Sequence, residues 1–164
     1  DVDIYVGTFS KSLGSIGGFV SAKSSIVEYI RHKASAFIFT AALPPASVAG
    51  VIEGLHILAN DTERRNRLHE NTAYIKRAFF DMGIQVNNSQ VPIVPIQIGD
   101  EALTLYMNRL LFDDGIFAGV AVSPVVPPSK AMIRTSYTCA HTLEDLDQVL
   151  NSFKKNLRQL GMLP

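Results

Sequence analysis

The 164-residue chain contains a single cysteine, Cys139, so an internal disulfide and a cysteine-built metal cluster are both excluded. Neither sign of charge is in excess: fifteen Lys and Arg balance fifteen Asp and Glu. Proteins that grip nucleic acid normally carry a clear basic surplus, and none is expected here. Long apolar runs are missing as well, since none approaches the roughly 18 residues a membrane-spanning helix needs. No secretory signal is visible ahead of the first strand-like segment. These absences lead us to expect a soluble chain of a reducing, cytoplasmic compartment. His32, His56, His69 and His141 show no metal-ligand spacing, so no metal is expected either. Internal repeats and low-complexity tracts are also missing.

What is present is a chain 47% hydrophobic and 18% charged, long enough for a real core and unlike a disordered segment. Ile4 to Thr8 reads as a buried strand, and Gly18 to Ala22 as a second one beyond a glycine-punctuated loop. Ser24 is positioned to cap a helix whose buried side carries Ile26, Val27 and Ile30. Phe37 to Thr40 reads as a short strand, and Pro44-Pro45 opens a helix with Val48, Val51, Ile52, Leu55 and Leu58 on one face. A further helix carries Leu68, Thr72, Ile75, Phe79 and Met82 up to Gly83. Ile93 to Ile98 is a strand, and Pro95 makes it an edge strand or an irregular one. Glu101 to Asp114 is a helix, 116–122 and 132–136 are strands, and Thr142 caps a last helix with Leu143, Leu146, Leu150, Phe153, Leu157 and Leu160 on one side. Alternating strands and helices indicate α/β layering, with a boundary near Asp61 that separates residues 1–60 from 61–164.

The stretch from Thr8 to Gly18, TFSKSLGSIGG, sets Lys11 among hydroxyls and glycines just after a strand. Glycines let a backbone approach a ligand, and hydroxyls suit an anionic oxygen. A lysine held partly desolvated there would lose its proton near neutral pH and attack carbonyls as a free amine. A Walker A loop requires a glycine directly before the lysine, where Ser10 stands; Gly14, Gly17 and Gly18 do not make the dinucleotide fingerprint. Composition alone leaves a turn with an exposed lysine open.

Three ordered segments carry a resemblance. They are 7–14 with Gly17-Gly18-Phe19, then 37–45 (FIFTAALPP), and Ile133-Arg134-Thr135-Ser136 followed by Ala140-His141. Together they resemble the α-oxoamine synthases, fold-type-I enzymes dependent on pyridoxal 5'-phosphate (PLP). Within that family the segments look most like bacterial serine palmitoyltransferases; the 8-amino-7-oxononanoate synthase and 2-amino-3-ketobutyrate CoA ligase branches are alternatives. The resemblance implies an α/β fold: residues 1–60 would be the end of the large PLP-binding domain, and 61–164 the C-terminal α+β small domain. It implies that Lys11 forms the internal aldimine and that Thr8 and Ser10 hold the cofactor phosphate. Thr40 would reach the phosphate of the neighbouring subunit, making the site a property of a homodimer. Arg134 would pair with the amino-acid carboxylate. The implied reaction condenses an amino acid with an acyl-CoA thioester, with loss of carbon dioxide.

The family also uses a stacking residue and an acid at the pyridine nitrogen, both upstream of the cofactor lysine. Lys11 lies too near the first residue for these segments to supply them, so the stretch alone is expected to be inactive. Val125 stands where relatives can carry a substrate-contacting Thr. Other candidates read blandly. Ser152 and Lys155 match S-x-x-K but fall on what reads as a solvated helix face, as do Glu63, Arg64, Arg65 and Arg67. His141 reads as structural. The rival functions are a non-catalytic subunit of the same fold and a Ser–Lys hydrolase using Ser10 or Ser12 with Lys11. The second lacks an oxyanion element.

Overall fold

The computed structural model describes residues 2–163 and is mixed α/β. The chain divides into two compact units, one running to Thr62 and the other beginning at Glu63.

In the first unit, β1 (Ile4–Thr8) and β2 (Gly18–Ala22) pair antiparallel, with Thr8 opposite Gly18 and Ile4 opposite Ala22. They are followed by α1 (Ser24–Lys33), α2 (Ser35–Ile38) and α3 (Pro45–Asn60). Pro45 occupies the first helical position of α3, where its missing N–H costs nothing. The expected strand at 37–40 is a helical turn instead. The N–H groups of Phe37 and Ile38 both reach the carbonyl of Ala34, and that of Phe39 reaches Ser35. Aromatic and branched side chains suggested a strand, but no neighbouring strand pairs with them within the unit, and local hydrogen bonds win. The expectation of a buried first strand also fails. Val6 is 76% exposed, since β1 has only one partner strand and neither face is covered by a second layer within the unit. Along α3 only Val51 is buried; Ile52, Leu55 and Leu58 remain about half exposed.

The second unit has its own core. Helix α4 (Thr62–Asp81) leads to β3 (Ile93–Gly99), α5 (Glu101–Asp113), β4 (Gly119–Ala121), β5 (Ala131–Ser136) and α6 (Leu143–Gln159). The sheet order is β3-β5-β4, all antiparallel, so β3 is an edge and Pro95 removes no essential ladder bond. β4 is shorter than the strand expected at 116–122.

β5 alternates cleanly: Ala131, Ile133 and Thr135 are buried, whereas Arg134 and Ser136 are exposed. The buried face meets Val94 and Ile96 of β3 and the apolar stripes of three helices. From α4 come Ile75 and Phe79, from α5 Met107 and Leu111, and from α6 Leu146, Leu150, Phe153 and Leu157. Phe79 and Phe153 meet edge to face at 5.2 Å between centroids. Fully burying an aromatic or leucine side chain contributes about 1.5–3 kcal/mol, so this cluster outweighs any local propensity in the unit.

Caps set the helix ends. The Asp100 carboxylate accepts the Leu103 N–H at 2.7 Å. Thr142 and Asp145 form a reciprocal capping box, and the Thr142 N–H holds the Asp145 carboxyl below its usual range. Gly83 and Gly115, both at φ +83°, take the left-handed conformation that terminates α4 and α5, with 6→1 bonds from Ile84 to Phe79 and from Ile116 to Leu111. Leu143, expected on the buried face of α6, is exposed because it precedes the first turn that meets the core.

Candidate functional site

The loop 9–17 joins the two strands of the hairpin, and its shape follows from close approaches that only glycine permits. A Cβ on Gly18 would come within 2.3 Å of the Gly7 carbonyl oxygen across the hairpin. One on Gly17 would come within 2.4 Å of a Leu43 methyl, and φ there is +86°. The loop is closed by the Phe9 N–H donating to Gly17 O and the Ser15 N–H to Phe9 O, both at 2.9 Å. A turn from Lys11 O to the Gly14 N–H, at 3.0 Å, leaves Lys11 at the bend. The Ser15 hydroxyl donates to Ser47 O at 3.4 Å, and Leu13 packs against Gly54, pinning the loop to α3. Phe9 stacks on Phe19 at 5.9 Å.

This geometry brings Thr8 and Ser10 together. Their hydroxyl oxygens are 2.9 Å apart, and the Ser10 N–H donates to Thr8 Oγ1 at 3.3 Å. Two adjacent hydroxyls beside a lysine make a donor set suited to a phosphate or another small oxyanion. Both hydroxyls and Lys11 are exposed. The expected partial desolvation of Lys11 is therefore not supplied by the described residues of this unit, which leave it exposed. Thr40 is also exposed, past the end of α2, and its hydroxyl donates to Ala36 O.

Arg134 lies in the other unit, at the centre of the three-stranded sheet and on the face away from the helices. It is opposite Pro95 on one side and Gly119 on the other. No acidic group pairs with it among the described residues, so its guanidinium keeps its full capacity for an incoming carboxylate.

Beyond β5, the chain turns through Tyr137 to His141. His141 Nδ1 accepts the Thr138 N–H at 3.2 Å, consistent with a structural role, and its ring meets Tyr137 edge to face at 6.1 Å. The Asn71 side-chain amide on α4 donates to Thr138 O and His141 O, each at 3.0 Å, and so fixes the segment that follows Arg134. A cavity of about 320 Å³ opens beside it, lined by Ile116, Phe117, Tyr137 and His141 but not by Arg134. Burial pushes the Tyr137 hydroxyl up to about 12, with the nearby Thr135 hydroxyl acting in the opposite direction; that hydroxyl donates its proton to Val94 O, and among the described residues no hydrogen bond of normal geometry reaches the Tyr137 oxygen.

Ser152 is buried, against the expectation of a solvated face, whereas Lys155 does lie on an exposed one. Asp114, at the C-terminus of α5, accepts from Ser152 Oγ at 2.8 Å, Asn156 Nδ2 at 2.9 Å and Lys155 Nζ at 2.6 Å. These three donors, Lys155 foremost, hold the Asp114 carboxyl at about 2. The motif is a staple between α5 and α6. Sequence alone did not mark it, because Asp114 lies some forty residues away from its donors, whose spacing on α6 looks like that of polar residues facing water. Val125 is 79% exposed in the proline-rich loop.

Comparison with known proteins places these elements in a family. The chain is 41% identical over 162 residues to the 8-amino-7-oxononanoate synthase of Thermoanaerobacter pseudethanolicus, and 38% identical over 163 residues to the serine palmitoyltransferase of Bacteroides thetaiotaomicron. Each match takes in 99% of this chain but 41% of the relative's length, so the chain spans well under half of these proteins. A solved structure of SPT with its PLP internal aldimine superposes with a TM-score of 0.91 and 31% identity, over 99% of this chain and 41% of that one. The 8-amino-7-oxononanoate synthase of Francisella tularensis follows at 0.85 and 25%, over 97% and 47%. The model of the family described as aminotransferase class I and II matches residues 1–153, and the chain belongs to that family.

Proposed function

We propose that this chain carries the lysine-bearing and carboxylate-binding parts of a PLP-dependent acyltransferase that condenses an amino acid with an acyl-CoA thioester to an α-oxoamine. The observation that carries the reading is the hairpin bend: Thr8 and Ser10 hydroxyls 2.9 Å apart beside Lys11, in a chain of this family. That donor set fits a phosphate ester next to an aldehyde-reactive amine.

When bound, PLP supplies an aldehyde that condenses with amines and a ring that draws electrons from the substrate Cα. The residues of this chain do the rest. Thr8 and Ser10 donate their hydroxyl protons to phosphate oxygens. Thr40, whose one hydroxyl proton goes to Ala36 O in this structure, turns it to the phosphate held by a second subunit, in a homodimer. Lys11 Nζ is the primary amine that would hold the cofactor, and as a free amine it would take the substrate Cα proton as general base. Arg134 orients the amino-acid carboxylate with two parallel N–H donors, a geometry that lysine does not provide. The reading extends to a serine palmitoyltransferase-like enzyme of sphingolipid synthesis in the cytoplasm; among the described residues, no helix is long and apolar enough to cross a membrane. The 41% identical relative favours 8-amino-7-oxononanoate synthase activity as the second reading.

The test uses the full-length protein with PLP. Borohydride reduction should fix the cofactor to the peptide containing Lys11, and Lys11→Ala should abolish both the visible absorbance and the label. A wild type that stays colourless and unlabelled refutes the proposal. Assays pairing serine, glycine or alanine with short and long acyl-CoAs then separate the two branches.

A further inference from the structure

The outer face of the second unit's sheet has an unusual row of residues. In the pairing register Pro95 of β3, Arg134 of β5 and Gly119 of β4 lie side by side, and residues paired across antiparallel strands share a face. Arg134, the one long side chain of the row, therefore lies between a proline ring and a bare backbone. A Cβ built on Gly119 would sit 3.5 Å from Arg134 O, 3.7 Å from Nε and 3.8 Å from Cβ. So the side chain of Arg134 passes directly beside Gly119, with its Nε within contact of any atom placed there. Gly119 is not among the positive-φ glycines, so nothing in its backbone demands glycine. A single carbon fits there in ordinary contact, and what the bare backbone leaves open is room for the Arg134 stem beyond it.

We propose that Gly119 is a positioning residue for the Arg134 guanidinium, and through it a determinant of affinity for the amino-acid substrate. The inference rests on the reading of Arg134 as the carboxylate partner. An arginine fork binds a carboxylate with two parallel bonds only if its plane is held at one angle, and a stem free to lie along bare backbone has one path to that angle. A single added carbon stays in ordinary van der Waals contact and leaves the path open. A branched side chain adds two methyls beyond a Cβ already in contact with Nε, which crowds the stem and favours its swinging away with loss of one of the two bonds. The strand tolerates the change, because valine suits β-structure better than glycine does.

The experiment measures amino-acid affinity by calorimetry, without acyl-CoA, on the full-length PLP-loaded protein and its Gly119→Ala, Gly119→Val, Arg134→Ala and Gly119→Val/Arg134→Ala variants. Thermal melts verify folding. Gly119→Ala should bind within about twofold of wild type. Gly119→Val should weaken binding roughly 10- to 100-fold, the value of one charge-assisted hydrogen bond. In steady state its KM for the amino acid should rise while KM for acyl-CoA stays unchanged. Arg134→Ala should weaken binding at least as much, and adding valine to it should cause no further loss, since the two act on one interaction. If Gly119→Val binds like wild type, or loses the same factor in both backgrounds, the positioning role is overturned. If Arg134→Ala binds normally, the carboxylate assignment itself fails, and that result is separate from any effect at 119.

Discussion

Asn71 allows the sharpest test of how the segment after Arg134 is held. Its side chain is 7% exposed, and both amide protons are spent on main-chain carbonyls, those of Thr138 and His141, each at 3.0 Å. Alanine there removes two hydrogen bonds worth about 1 kcal/mol each and leaves two part-buried acceptors short of a donor, for a total of roughly 2–4 kcal/mol. That range is about a 30- to 700-fold change in the folded-to-unfolded ratio. Aspartate is the informative second variant. It is nearly the same size but directs oxygen at both carbonyls, so at pH 7 Asn71→Asp should be less stable than Asn71→Ala. Its carboxyl should titrate above the usual range, because the neutral form is the one the site favours. A pKa raised by folding means stability that is present at low pH and fades as pH rises through that value. Asn71→Asp should therefore recover part of its deficit at pH 4 relative to pH 7. This chain has no tryptophan, so urea unfolding followed by far-UV circular dichroism is the suitable assay. An Asn71→Ala cost below about 0.5 kcal/mol, beneath the net value of one hydrogen bond, would refute the reasoning. So would an aspartate variant as stable as the alanine one at pH 7.

Two further outcomes follow from perturbed groups. Asp114, held at about 2 by Lys155, Ser152 and Asn156, contributes stability that is present above its ordinary value of 3.8 and lost as pH falls toward 2; Asp114→Asn should flatten that acid limb in urea midpoints measured between pH 4 and 2. Tyr137 is the opposite case. Its hydroxyl is raised from 10.0 to about 12 by burial, so the folded state loses stability as pH climbs through that window, and Tyr137→Phe should be flat there. At pH 7 the phenylalanine variant should melt no lower than wild type, because the hydroxyl has no hydrogen-bond partner to lose. A clear drop in melting temperature would mean that the oxygen is satisfied.

The elements legible in the sequence are those with a strong period or a local chemical signal. Helix α6 was readable from its three- and four-residue spacing and from Thr142 as its cap, because a cap is closed by atoms of one turn; that Asp145 completes a capping box came from the structure. β5 was readable from alternation, and Pro95 marked β3 as an edge because proline cannot donate to a ladder. The Thr8, Ser10 and Lys11 bend was readable for the same reason: hydroxyls and glycines a few residues apart form their own contacts. Phe37 to Thr40 misled, since strand-like side chains mean little without a partner strand, and the backbone closed a helical turn instead.

By itself the sequence determined the apolar stripes of α4 and α6, the Thr142 cap and the lysine bend, all settled within a few residues of backbone; Ser24, expected to cap α1, is instead its first helical residue and makes no capping bond. Tertiary structure alone decided that Asp114 gathers three donors from α6, that Asn71 grips a segment nearly seventy residues away, and that Gly119 lies beside Arg134. Those partners are distant in the chain, and no local rule of spacing encodes which surfaces meet. Packing of the apolar stripes brings them together, and the polar contacts form where the packing has put them.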